Sequence, residues 1–114
     1  MAEVKKRPKV LEGKTVKVPT SCGALYVTVN SDDNGVFEVF AKLGKSGGCI
    51  SCFTEALTRS ISLGLRAGVE LSEYVKDLSG IHCSSPSYSD GEPIKSCPDA
   101  ISQVLKNFIK DDES

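Results

Sequence analysis

A chain of 114 residues, 39% hydrophobic and 25% charged, holds one hydrophobic core and has no room for a cofactor-binding barrel plus a substrate domain. Its formal net charge of −1 gives no overall drive toward nucleic acid or anionic membrane. No apolar run reaches the length of a membrane span or of a signal-peptide core, so no membrane association and a cytoplasmic location are the expectation.

In chain order, residues 1–14 form a basic N-terminal arm carrying Lys5, Lys6, Arg7, Lys9 and Lys14, expected to be solvated and frayed. A single domain over 15–110 follows, and residues 111–114 are an acidic tail. Thr15 to Val18 alternates like a short strand, which Pro19 confines to a sheet edge or ends. Ala24 to Asn30 is a stronger strand, with Leu25, Val27 and Val29 on one face and Tyr26 and Thr28 on the other. Asn34-Gly35 supplies the positive φ of a tight hairpin. The return strand Val36 to Leu43 puts Phe37, Val39 and Ala41 on one face and Val36, Glu38 and Phe40 on the other. With both faces partly apolar, it is expected to be central or covered by helices.

Beyond Gly44 the period changes to that of a helix. Ile50, Phe53, Leu57, Ile61 and Leu65 are spaced as a buried stripe, with Gly68 as the C-terminal cap. A shorter helix is predicted over Leu71 to Leu78, then a loop over 81–95. A last helix follows Pro98, with Ile101, Val104, Leu105, Phe108 and Ile109 on its apolar face. The fold class is α+β, a small antiparallel sheet with an Asn-Gly hairpin packed by about three helices.

Five cysteines are the chemically versatile side chains, and an odd number in a reducing compartment speaks against a disulfide framework. Cys49 and Cys52 have the two-residue spacing shared by metal knuckles and redox pairs, although small thiols facing a packed neighbour have the same spacing. Cys22, Cys49, Cys83 and Cys97 are a candidate set of four thiolates for tetrahedral zinc; buried structural thiols are the alternative. Cys97, at the head of a helix, is the candidate reactive thiol, because the helix dipole and unpaired N–H groups favour a thiolate there. Ser96 or Cys97 caps that helix and Asp99 complements its dipole. A thiol-redox module would use Cys97 to attack, with Cys22 or Cys83 resolving. Lys45, Ser46, Gly47 and Gly48 lie between strand and helix like the end of a phosphate loop. Val39 occupies the position where that motif needs its first glycine, so anion binding, or only a tight turn, replaces nucleotide hydrolysis. An anion- or nucleic-acid-binding module would use Lys45 and the basic arm. One histidine, His82, gives no catalytic triad.

Taken together, Arg7-Pro8, Leu11-Glu12-Gly13, Thr20-Ser21-Cys22-Gly23, Gly44-Lys45-Ser46-Gly47-Gly48-Cys49, Gly80-Ile81-His82-Cys83 and Ser96-Cys97-Pro98-Asp99 resemble the TSCPD domain. That domain occurs at the C-terminus of adenosylcobalamin-dependent ribonucleotide reductases and as a standalone protein. The signature has Thr where Lys95 stands, and an Arg is more usual at His82. The resemblance implies Cys22, Cys49, Cys83 and Cys97 as the family set, with Cys52 outside it. It implies an accessory, regulatory or binding role in deoxyribonucleotide synthesis. The partner it implies is a reductase catalytic subunit, with nucleotide or nucleic acid as further ligands. Adenosylcobalamin would come only through that partner, and the chain would not be catalytic alone.

Overall fold

The computed structural model describes residues 3–20, 23–44, 48–82, 87–89 and 91–109, without the side chains of Cys49, Ser87, Ser89 and Glu92. Three antiparallel strands, β1 (Glu12–Thr20), β2 (Gly23–Asp32) and β3 (Gly35–Leu43), form a sheet in that order. Alternation on β2 turns Leu25, Val27 and Val29 into the core, where all three are fully buried. Cross-strand pairing places Val16 and Val18 of β1 and Val39, Ala41 and Leu43 of β3 beside them. Full burial of each such side chain contributes about 1.5–3 kcal/mol.

Helix α3 (Cys97–Lys106) covers this face with Ile101, Val104 and Leu105. Helix α2 (Leu71–Leu78) packs against α3 through Leu71 and Leu78, and Ser102 Oγ donates to the Val75 carbonyl at 2.7 Å. The stretch 81–95, expected to be loop, contains a small hairpin of β4 (Ser87–Ser89) and β5 (Glu92–Ile94), which buries Ile94. Pro19 lies within β1, which is an edge strand, so its missing N–H costs no ladder bond to a second neighbour.

Two expectations about the β2–β3 hairpin change. The hairpin loop is Asp33-Asn34, closed by the Asp32–Gly35 pair, so the Asn-Gly step sits one residue late. Asp32 Oδ1 accepts from the Asn34 N–H at 2.9 Å, and Gly35 supplies a φ of 129° as β3 begins. Further along, Asn30 pairs with Glu38 but Ser31 pairs with Val36, leaving Phe37 as the extra residue of a β-bulge. The predicted alternation therefore holds from Glu38 onward, whereas Val36 turns toward the core.

Strand β3 is not central. It is the second edge, covered along its length by α1 (Gly48–Arg66). Ser62 Oγ accepts from the Val39 N–H and donates to the Val39 carbonyl, both at 2.9 Å, replacing the strand that an edge lacks. The predicted apolar stripe of α1 is correct only at Leu57, Ile61 and Leu65. Ile50 and Phe53 are 41% and 72% exposed, while Thr54, Thr58 and Ser62 are buried in their place. A helix facing a strand edge meets unpaired backbone groups, which hydroxyls tolerate. Thr54 and Thr58 donate to the Ile50 and Thr54 carbonyls of their own helix, so neither is buried unsatisfied. Gly68 ends α1 as predicted, with a φ of 105° and the Val69 N–H bonded back to the Gly64 carbonyl.

Candidate functional site

Cys97 is the first residue of α3, and its surroundings are built by residues on either side of it. Ser96 caps the helix: its Oγ accepts from the Asp99 N–H at 3.1 Å and donates to the Ile81 carbonyl at 2.5 Å. Pro98 follows in the first turn, where an N–H is not needed. Asp99 is 4% exposed and does more than complement the dipole. Its carboxylate accepts from the Gly80 N–H at 2.8 Å, the Lys95 N–H at 3.0 Å and Gln103 Nε2 at 2.9 Å. Burial pushes the Asp99 carboxyl up, but these three donors outweigh it and hold the group below its usual range. Ser96 and Asp99 thus bolt the Gly80-Ile81 turn to the head of α3.

The other walls of this corner come from the far end of the chain and from α1. Cys97 Sγ lies 3.9 Å from Thr20 Oγ1, and that hydroxyl donates to the Gly23 carbonyl at 2.7 Å, between the paired ends of β1 and β2. On its other side Cys97 lines an apolar notch of about 160 Å³ with Ile50, Phe53, Leu57, Pro98 and Ile101. Two segments therefore meet at Cys97, and a third meets its neighbour Ser96. One ends at Thr20, two residues before Cys22; one contains Ile50, next to Cys49; and one ends at Ile81, two residues before Cys83.

Of the predicted thiols, Cys97 is half-buried and Cys52 is exposed on α1. Cys22, Cys83 and the Cys49 side chain lie outside the described residues, as do Lys45, Ser46 and Gly47 of the predicted anion turn; Gly48 is the first residue of α1. Among the described residues, no three of His, Cys, Asp and Glu are grouped to hold a metal ion. His82 is exposed. No described helix is long and apolar enough to cross a membrane.

The arm is not frayed where it is described. The Lys5 N–H donates to the Arg66 carbonyl at 3.0 Å, and Arg66 Nε donates to the Lys5 carbonyl at 2.9 Å. Both cations also lie over the buried Phe37 ring, 5.5 and 5.4 Å from its centroid. Arg7 then reaches Glu38 with two nitrogens at 3.0 Å, and Asn30 Nδ2 donates to the same carboxylate at 2.7 Å. Burial raises the Glu38 carboxyl, but Arg7 and Asn30 prevail and hold it low. Gly13 makes room for this cluster, because a Cβ there would fall on the Asn30 side chain and 2.6 Å from the Val29 carbonyl oxygen. The sequence offered only Arg7-Pro8 and Gly13 as separate motifs; their meeting at Glu38 required the cross-strand register.

The motif segments at Cys97 and at Glu38 thus account for widely separated parts of the chain as one structural unit, and comparison with known proteins agrees. The TSCPD domain matches residues 2–109. The chain belongs to the TSCPD domain family. Among curated relatives it is similar to the vitamin B12-dependent ribonucleotide reductases of Streptomyces clavuligerus and Streptantibioticus cattleyicolor, 26% identical over 108 residues in each case. The reductase of Streptomyces coelicolor matches to the same degree. The alignments take in 94% of this chain but only 11%, 18% and 11% of those three relatives, so the TSCPD chain spans a small part of their length. No solved structure matches.

Proposed function

We propose that this TSCPD chain is an accessory module of a cobalamin-dependent ribonucleotide reductase, non-catalytic alone, organised around the Cys97 corner. The observation that carries the reading is the alignment of 94% of the chain with a small region of such reductases. The substrate-holding, radical-forming and cobalamin-binding work belongs to the large partner; an α+β domain of 114 residues has no comparable interior. The test is reconstitution. The purified chain is added to a cobalamin-dependent reductase catalytic subunit from the same genome, with co-elution and ribonucleotide reduction measured. Stable co-elution with a changed rate or effector response supports the role, whereas separate elution and unchanged kinetics overturn it.

Within this reading, Cys22, Cys49, Cys83 and Cys97 hold a structural zinc. Support comes from the chain segments that adjoin Cys97, through Thr20 and Ile50, and its neighbour Ser96, through Ile81, each leading within two residues to one of the other thiols. Four thiolates would close the metal's coordination, so the ion would tie the corner together and leave no open position for substrate. Metal analysis of protein purified without added zinc should give about one zinc per chain, reduced by Cys97→Ser. No zinc together with a rapidly alkylated Cys97 would favour the thiol-redox alternative.

A further inference from the structure

The sheet has a second face, and no described helix covers it. Cross-strand register puts Lys17, Tyr26 and Lys42 in one row and Thr15, Thr28 and Phe40 in the next. Tyr26 and Phe40 are thus diagonal neighbours on adjacent strands, on the order of 7–8 Å apart. They remain 38% and 45% exposed. The Tyr26 ring rests over Gly44, where an added Cβ would come within 3.3 Å of the ring, and Lys17 Nζ stands 5.9 Å from its centroid. Phe40 opens into a groove of about 510 Å³ between the sheet and α1, rimmed by Lys42, Arg59 and Glu55.

The charge on this face runs against that of the whole chain. Lys17, Lys42 and Arg59 surround the two rings, and the described acid at the rim, Glu55, is paired with Arg59 at 3.7 Å. Glu38, the next residue along the same face, is already neutralised by Arg7. Two exposed rings on a pleated surface with cations at their margins match unstacked bases linked by phosphates. The Phe40 ring offers a π face that any base can stack upon, the Tyr26 ring offers one when Lys17 moves from it to a phosphate, and the cations follow the backbone. A duplex keeps its bases stacked and out of reach of such rings. The basic arm is a poorer candidate, because Lys5 and Arg7 pair at 3.1 and 3.0 Å with the half-buried Asp32 and the buried Glu38, whereas the Arg59–Glu55 pair is exposed and longer.

We propose that the open sheet face binds single-stranded nucleic acid, with Tyr26 and Phe40 stacking on bases and Lys17, Lys42 and Arg59 contacting phosphates. This surface is distinct from the Cys97 corner, and its test does not depend on a reductase partner. The full chain is titrated into a fluorescein-labelled oligonucleotide of about twelve thymidines, with anisotropy followed from about 50 to 200 mM salt. The expected result is salt-sensitive binding that Phe40→Ala or Tyr26→Ala weakens about 5- to 150-fold, the range for loss of one stacked base. Phe40→Trp should retain affinity, which separates stacking from folding, and circular dichroism should be unchanged because both rings are on the surface. Lys42→Gln should lower the salt slope by about 0.7, the share of one single-strand phosphate contact. Absence of binding, equal binding by wild type and both alanine variants, or equal affinity for the corresponding duplex would each overturn the proposal. Thymidine triphosphate bound as tightly as the oligonucleotide would also overturn the assignment to a strand.

Discussion

Two buried carboxylates hold this TSCPD domain together at opposite ends, and they do so with different chemistry. Asp99 is satisfied by two backbone N–H groups and a neutral amide. Glu38 is satisfied by a half-exposed arginine and an asparagine. Backbone donors cannot move to water without unfolding the Gly80 turn and the head of α3. Arg7 can leave with its arm and be solvated. The Asp99 clamp is therefore part of the global fold, while the Glu38 clamp governs the docking of a segment.

Asp99→Ala should produce the largest effect, a loss of about 1–3 kcal/mol in denaturant unfolding, since it strands two partly buried backbone donors. A change below about 0.5 kcal/mol would mean that the turn at Gly80 finds other partners. Gly13→Ala should cost about 1–3 kcal/mol by driving a methyl group into Asn30 and the β2 backbone. A crystal structure or NMR spectrum of that variant should show Asn30 displaced from Glu38.

Acid titration sharpens the contrast further. Both carboxyls lie below their ordinary values in the folded chain. Their contribution is therefore complete above the unfolded carboxyl value, about pH 4, and is lost as pH falls through the lower folded values. Asp99→Ala should flatten that acid limb of the melting-temperature profile. An unchanged slope would show that Asp99 binds its proton alike in both states. Arg7→Ala should give the smallest change in global melting at neutral pH. Its mark is local: faster amide exchange at Lys5 and a shallower acid limb, as Glu38 loses the partner that holds its proton affinity down. Global melting lowered as much as by Asp99→Ala would erase the distinction between the two clamps.

Local patterns carried much of this architecture. The β2 alternation, the bounds of α2, the Gly68 cap and the Ile101, Val104 and Leu105 face of α3 are all consequences of side-chain period and backbone preference, which act over a few residues; Phe108 and Ile109 pack on the core from beyond the helix end. The motif segments likewise mark the family without reference to any tertiary contact. The α1 stripe shows the limit of such reasoning: Ile50 and Phe53 have helical spacing yet stay exposed, while Thr54, Thr58 and Ser62 take the buried positions and Ser62 bonds the β3 backbone. Phe37 shows it again, since a bulge one residue long reverses the face predicted for Val36. Whether Asp99 merely tunes a helix dipole or binds the turn at Gly80, and whether Tyr26 and Phe40 stay uncovered, depends on which distant segments pack together. Tertiary structure decided those points, because hydrogen bonding and burial are settled between neighbours in space while sequence periodicity reports only neighbours along the chain.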